Sequence, residues 1–298
     1  MSPSLFNEEG GTTVGALVGE LAMVLDAAGI TDAGREARDI IAALRDAPRF
    51  WTTVNGHTIL SAEERRSACA AAAARARGAP FAYSVGTAAF RRLTLIVDER
   101  VLIPRPETEL LVDIVLSLMH GRAGGVAIDV GTGSGAIALA LASEGSFDRV
   151  LAGDVSADAI DVARANANRL KPHERARVDL RCGSLLAPFA GEQARVVVSN
   201  PPYIADGEAR DLPANVRGWE PAVALFGGPD GMTTIRRIIR DAPTVLEAGG
   251  WLALEVDSRR ASWAVEALSV YDCYRDISVR LDLAGRERFV LARLRDNQ

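Results

Sequence analysis

Four consecutive residues, Asn200-Pro201-Pro202-Tyr203, have the types and order to do chemistry on a nitrogen atom. They follow Val196, Val197 and Val198, a β-branched run of the kind found in strands buried on both faces. Two prolines do not continue a central strand or a helix interior, because each lacks an N–H and has a fixed φ. The run therefore predicts a rigid loop at the carboxyl end of a parallel strand, where open α/β sheets bind ligands. Such a loop offers the amide of Asn200, backbone carbonyls and the ring of Tyr203. That set suits a planar amide or amine held for alkylation on nitrogen. The competing reading is a proline-rich turn around a packed tyrosine.

A second constellation is the glycine turn of Gly131, Gly133 and Gly135, in the order Gly-x-Gly-x-Gly rather than the Gly-x-Gly-x-x-Gly of dinucleotide sites. Glycines there let the backbone bend sharply and let a ligand lie against it. Asp129 stands just before the turn. Asp154 ends the next predicted strand, about 20 residues on, where an acid takes ribose hydroxyls. A pyrophosphate would be repelled by two nearby carboxylates, and a sulfonium nucleoside with an ammonium group would not. The pattern points to S-adenosylmethionine rather than NAD. Its candidate residues are Asp129, Gly131, Thr132, Gly133, Ser134, Gly135 and Asp154, with Asn200. Arg105, in Pro104-Arg105-Pro106-Glu107-Thr108-Glu109, reads as a donor aimed into the cleft for a carboxylate. Thr108 or Glu107 reads as the cap of the helix that follows.

The elements that must position these residues change character along the chain. Residues 12–78 read as helical. Val14, Leu17, Val18, Leu21, Val24 and Leu25 form an amphipathic stripe, and Thr31-Asp32 opens a second helix that Pro48 ends. Ser61 and Glu64 form a capping box before an alanine-rich helix that runs to Arg77-Gly78. Residues 81–103 have strand character and predict a β-hairpin between domains. From Gly124 strands and helices alternate, the mark of a doubly wound parallel sheet. Predicted strands are Val126–Val130, Val150–Asp154, Val178–Arg181, Arg195–Ser199 and Trp251–Val256. A helix is expected over Ile235–Leu246, with Gly249-Gly250 closing it, and a terminal hairpin over Ile277–Leu281 and Arg288–Leu294. The expected organisation is an N-terminal helical, substrate-gripping domain (1–79), a β-hairpin linker (80–108) and a catalytic domain (109–298).

The chain has 298 residues, 48% of them hydrophobic, enough for a proper core, and a formal net charge of −5, which argues against broad nucleic-acid binding. Cys69, Cys182 and Cys273 lie far apart with no paired spacing. That argues against a disulfide framework or a zinc site and points to reduced thiols in the cytoplasm. His57, His120 and His173 lie outside the motifs. No apolar run approaches the roughly 20 residues of a membrane span, and residues 1–11 do not have the pattern of a signal peptide.

These blocks together resemble the peptide chain release factor N5-glutamine methyltransferases. The residues that carry the resemblance are Arg77-Gly78 with Pro80 and Tyr83, the Leu102–Glu109 segment, the Asp129–Gly135 turn and Asn200-Pro201-Pro202-Tyr203. Trp219-Glu220-Pro221, Gly228 with Asp230-Gly231, and Asp282-Leu283 with Gly285-Arg286 complete them. The resemblance covers residue 78 to the C-terminus and, more loosely, the helical N-terminus. It implies an α/β, Rossmann-like class I S-adenosylmethionine-dependent methyltransferase sheet with an N-terminal helical bundle, and a class I release factor as protein substrate. A monomer is expected, with no membrane and no stable nucleic acid among its partners. Asn200, Pro201, Pro202 and Tyr203 would be catalytic: the Asn200 side chain and the Pro201 or Pro202 carbonyl would accept from the substrate amide, and Tyr203 would pack on it. A glutamine methyltransferase of a ribosomal protein, a nucleic-acid amino methyltransferase and a non-catalytic scaffold are the alternatives. Two stretches depart from the family pattern. Arg181–Leu185 leaves adenine contacts to backbone and Ser184, and Asp257, after Glu255, reads as a solvated loop acid.

Overall fold

The computed structural model describes residues 11–296, so the stretch read as lacking a signal peptide lies, but for Gly11, outside the described residues. Two compact units are present. One comprises the chain through Thr87 together with Pro213–Trp219; the other comprises Ala88–Leu212 and Glu220 onwards.

The first unit is helical because its apolar residues recur at helical spacing. The helices Val14–Ala27, Ala33–Leu44 and Ala62–Ala76 bury Leu17, Leu21, Leu25, Ile40, Ile41 and Ala72 in one core. The Ser61 capping box forms as expected: Ser61 Oγ accepts from the Glu64 N–H (3.2 Å) and Glu64 Oε2 from the Ser61 N–H (2.8 Å). The stretch is not wholly helical. Strand β1 (Thr12–Thr13) pairs antiparallel with β2 (Ile59–Leu60), two-residue strands too short to show in periodicity. Phe81–Val85, read as extended, is a short helix; the hairpin behind it is β3 (Thr87–Phe90) with β4 (Leu93–Ile96).

The second unit is built on a seven-stranded sheet. Its strands are β5 (Val126–Val130), β6 (Arg149–Asp154), β7 (Val178–Cys182), β8 (Ala194–Ser199), β9 (Leu246–Glu255), β10 (Tyr274–Leu281) and β11 (Glu287–Leu294). They lie in the order β10-β11-β9-β8-β5-β6-β7, parallel from β9 to β7 with β11 and β10 antiparallel. From β5 the chain steps out through β6 to β7, then returns to β8 on the other side of β5. The order reverses there, and ligands of open α/β sheets bind at the carboxyl ends of the strands flanking such a reversal. On one face Ile128, Val130, Leu151, Phe189 and Val197 pack with Ile235, Ile238 and Ile239 of the helix Thr233–Asp241.

That helix is shorter than its pattern predicts. Pro243 sits in a 3-10 turn, Ala242–Thr244, and β9 already begins at Leu246. Gly249 and Gly250 therefore lie within β9 rather than closing a helix. Ala194 pairs with Leu246 and Val196 with Trp251, so the glycines occupy a bulge, Gly249 at φ +73°.

Candidate active site

The reversal point is laced by short hydrogen bonds. Ser199, the last residue of β8, donates its hydroxyl to the Val130 carbonyl at the end of β5 (2.6 Å). Asp154, the last residue of β6, accepts from the Gly133 N–H on Oδ2 and from the Ser156 N–H on Oδ1, both at 2.9 Å. Gly131 and Gly133 adopt φ of +73° and +54°, and a Cβ on either would meet nothing within 4 Å. They face open space: with Asp154, Ser184, Asn200 and Pro202 they line one cavity of about 290 Å³. Val155 and Leu185 add apolar surface to its wall, Leu185 at φ +50°, strain of the kind found at ligand sites. Spare lone pairs on a fixed carboxylate, an open glycine turn and an apolar flank are what a nucleoside needs.

The remaining turn residues stand behind this wall. Asp129 is fully buried; its Oδ2 accepts from the Thr132 hydroxyl (2.6 Å) and the Ala138 N–H (3.2 Å). Burial pushes its carboxyl up to about 7. Thr132 and Ser134 are buried too, and the Ser134 carbonyl accepts from Asn166 Nδ2 (2.9 Å). Asn166 also takes the Ile96 N–H on Oδ1 (2.6 Å) and donates to the Ile96 carbonyl (2.9 Å), so it ties the hairpin to the turn. Gly135 needs its missing side chain for packing, since a Cβ would lie 3.1 Å from Leu139 Cδ1. These four residues shape the turn from within the protein.

Arg105 corrects the sequence reading. It does not extend into the cavity as a free donor: its Nη2 lies 2.7 and 2.8 Å from the two carboxylate oxygens of Glu220, whose side chain is 1% exposed. The carboxylate it serves belongs to the protein. Glu220 leads into Pro221, Val223 and Ala224, which line the cavity, so the pair fixes one of its walls. Thr108 is corrected as well. The helix Pro106–Leu118 has no side-chain cap; Thr108 is buried and bonded elsewhere.

Its hydroxyl donates to Glu255 Oε2 (2.8 Å) and accepts from Asn200 Nδ2 (3.0 Å). Three residues far apart in the sequence thus form one chain of hydrogen bonds at the cavity. Glu255 was not singled out by the sequence reading, although an acid at the end of a central strand was the available signal. Burial raises its carboxyl to about 7, opposed by the Thr108 hydrogen bond and by Arg288 and Arg105. Tyr203 packs against the core and does not line the cavity, and burial, with the charge of Glu255, raises its phenol to about 12. The Pro202 carbonyl oxygen lies close to Gly227, where a Cβ would come within 2.4 Å of it. Asp257 is no solvated acid: its Oδ1 accepts from the Arg259 backbone N–H (2.9 Å) and pairs with the Arg259 side chain (2.8 Å). Arg259 and Arg260 hold its carboxyl below the usual range, against the effect of burial.

Residues 107–215 match the family model for the methyltransferase small domain, and residues 17–86 the model for the PrmC N-terminal domain. Among solved structures, a methyltransferase from Pyrococcus furiosus shares the fold with a TM-score of 0.51 at 20% identity, covering 70% of this chain and 92% of that one. The release factor glutamine methyltransferase of Mycolicibacterium smegmatis is 43% identical over 220 residues, 74% of this chain and 76% of its own. That of Moorella thermoacetica is 41% identical over 222 residues, 74% and 77% of the two chains. Identity of this order across three quarters of both partners, with a matching N-terminal module and a methyltransferase sheet, establishes that the chain belongs to the release factor glutamine methyltransferase family.

Proposed function

We propose that this chain transfers a methyl group from S-adenosylmethionine to the side-chain amide nitrogen of the glutamine in the Gly-Gly-Gln motif of peptide chain release factors. The observation that carries the reading is that Gly131, Gly133, Asp154 and Asn200, from three different strand ends, line one cavity. Bound there, S-adenosylmethionine supplies an electrophilic methyl carried on a sulfonium. Gly131 and Gly133 would lie against it, Asp154 would take the ribose hydroxyls, and Val155, Ser184 and Leu185 would border the adenine.

The rest of the work belongs to the substrate side. A carboxamide nitrogen is a poor nucleophile because its lone pair is delocalised into the carbonyl. Asn200 Nδ2 is bound to Thr108, which leaves Oδ1 to accept one substrate N–H. The Pro201 or Pro202 carbonyl would be the second acceptor; Pro202 lines the cavity, and Pro201 beside it is buried. Two fixed acceptors orient the nitrogen and stabilise the positive charge that grows on it as the new N–C bond forms. Loss of one N–H proton to solvent then restores the neutral amide, and no strong base is needed; none of the three histidines lines the cavity. Tyr203 packs against the core at the end of the loop. The helical first unit would grip the body of the release factor, a cytoplasmic partner. Among the described residues no helix is long and apolar enough to cross a membrane.

The test is incubation with labelled S-adenosylmethionine and a release factor carrying Gly-Gly-Gln, beside the same factor with that glutamine replaced. Label on the glutamine of the first alone is expected. Asn200→Ala should lower kcat by about 10²–10³, the usual cost of removing one preorganised partner of the transition state. Label on RNA or on a ribosomal protein instead would overturn the substrate assignment.

A further inference from the structure

We propose that Glu255, acting through Thr108, is a positioning residue that sets which end of the Asn200 side-chain amide faces the substrate. The inference rests on the reading of Asn200 given above and adds a control to it. Thr108 is 4% exposed and Glu255 1%, so neither has water as an alternative partner. A hydroxyl has one proton. An ionised carboxylate can only accept, so the proton of Thr108 is committed to Glu255. The Thr108 oxygen then presents only lone pairs to Asn200, and the amide must offer its NH2. Its oxygen is left outward as an acceptor, the polarity that a substrate N–H requires.

Protonation of Glu255 removes the constraint. A carboxylic acid can donate to the Thr108 oxygen, whose own proton is then free to turn toward Asn200. The Asn200 carbonyl turns inward to receive it and the NH2 turns outward, donor against donor with the substrate amide. The groups that act on Glu255 come from every side. Arg288 on β11 and Arg105 before the helix Pro106–Leu118 favour the ionised form, and Glu107 opposes it. Tyr203, and Asp257 just past β9, lie within electrostatic reach of the same cluster. Burial is the largest influence, and it brings the carboxyl to about 7, where the relay reverses within the working range. Asn200 is thus held in its accepting orientation above that pH and released below it.

The experiment has a readout independent of turnover. In the free enzyme the side-chain 15N–1H2 resonances of Asn200, assigned by their loss in Asn200→Asp, are followed from acid to alkaline pH. In the wild type they should shift with one midpoint near 7, and in Glu255→Gln they should stay still. In the methylation assay wild-type kcat should fall on the acid side of the same midpoint, and the Glu255→Gln profile should be flat. Thr108→Val should lose about 10–100-fold in kcat, one charge-assisted hydrogen bond converted at 1.4 kcal/mol per decade. Thr108→Ser, which keeps the hydroxyl, should recover most of that loss. A motionless wild-type resonance, or a serine variant as impaired as the valine one, overturns the relay. A resonance that titrates in an enzyme that leaves release factors unlabelled supports the relay and removes the substrate assignment instead.

Discussion

Replacing Arg105 by methionine separates two roles for this residue, a ligand for the cofactor carboxylate and a clamp for Glu220. The structure makes the clamp the stronger claim. Glu220 is almost wholly enclosed and takes both of its contacts from one guanidinium nitrogen of Arg105. Removing the cation leaves a buried carboxylate without its partner, a change that typically costs about 3–5 kcal/mol. Arg105 is itself 30% exposed, so water screens part of the interaction and the expectation drops to about 2–3 kcal/mol. For a unit of 150–250 residues each kcal/mol moves Tm by roughly 2–4 °C, which places the loss at roughly 4–12 °C. Glu220→Gln should cost less, since a neutral amide still accepts from Arg105. The double variant should be more stable than Arg105→Met alone, because no charge is stranded. Calorimetric melts of the four proteins, with and without S-adenosylmethionine, check this. A variant that melts with the wild type but no longer gains stability from the ligand would refute the clamp and restore the ligand role.

Two further outcomes follow from the glycine turn and the acid beneath it. Gly133→Ala should raise the Kd for S-adenosylmethionine at least about tenfold, a loss of about 1.4 kcal/mol, because its methyl enters the cavity where the ligand would lie. Gly135→Ala should lower Tm, its methyl pressing on Leu139. Titration calorimetry and melting of both variants test the contrast, and equal losses of affinity would contradict it. Asp129 gives a pH dependence. Its carboxyl is raised by burial, so between about pH 4 and 7 the folded protein holds more protons than the unfolded chain and stability falls as pH rises. Asp129→Asn should remove that part of the slope and gain on the order of 2–3 kcal/mol relative to the wild type at pH 8 over pH 5, the value of about 7 being what burial leaves after the hydrogen bonds from Thr132 and Ala138 have opposed it. Urea unfolding at the two pH values measures it, and an unchanged slope would count against the argument.

How much was legible in the sequence depended on whether the signal was local. The strands β5 to β8 and the Ser61 capping box announce themselves, because β-branched runs and capping residues act within a few residues of themselves. The two loops at the reversal point were legible for the same reason: glycines that need left-handed φ and prolines that stop a strand state their geometry in their own identities. The helix ended by Pro243 was misread because the isoleucine periodicity that precedes it continues into residues that tertiary pairing draws into β9.

What the tertiary structure alone decided is which polar groups meet. Arg105 and Glu220 are 115 positions apart, and Thr108 and Glu255 are 147 apart. No local pattern could say that the arginine would be spent on a protein carboxylate, or that Thr108 would link a strand-end acid to Asn200 rather than cap its own helix. Buried polar groups take whatever partner the packed sheet and helices bring within reach, since leaving one unpaired costs more than any local preference supplies. The chain's residue order therefore determines which loops carry the chemistry, and the packing of distant elements determines which way their hydrogen bonds point.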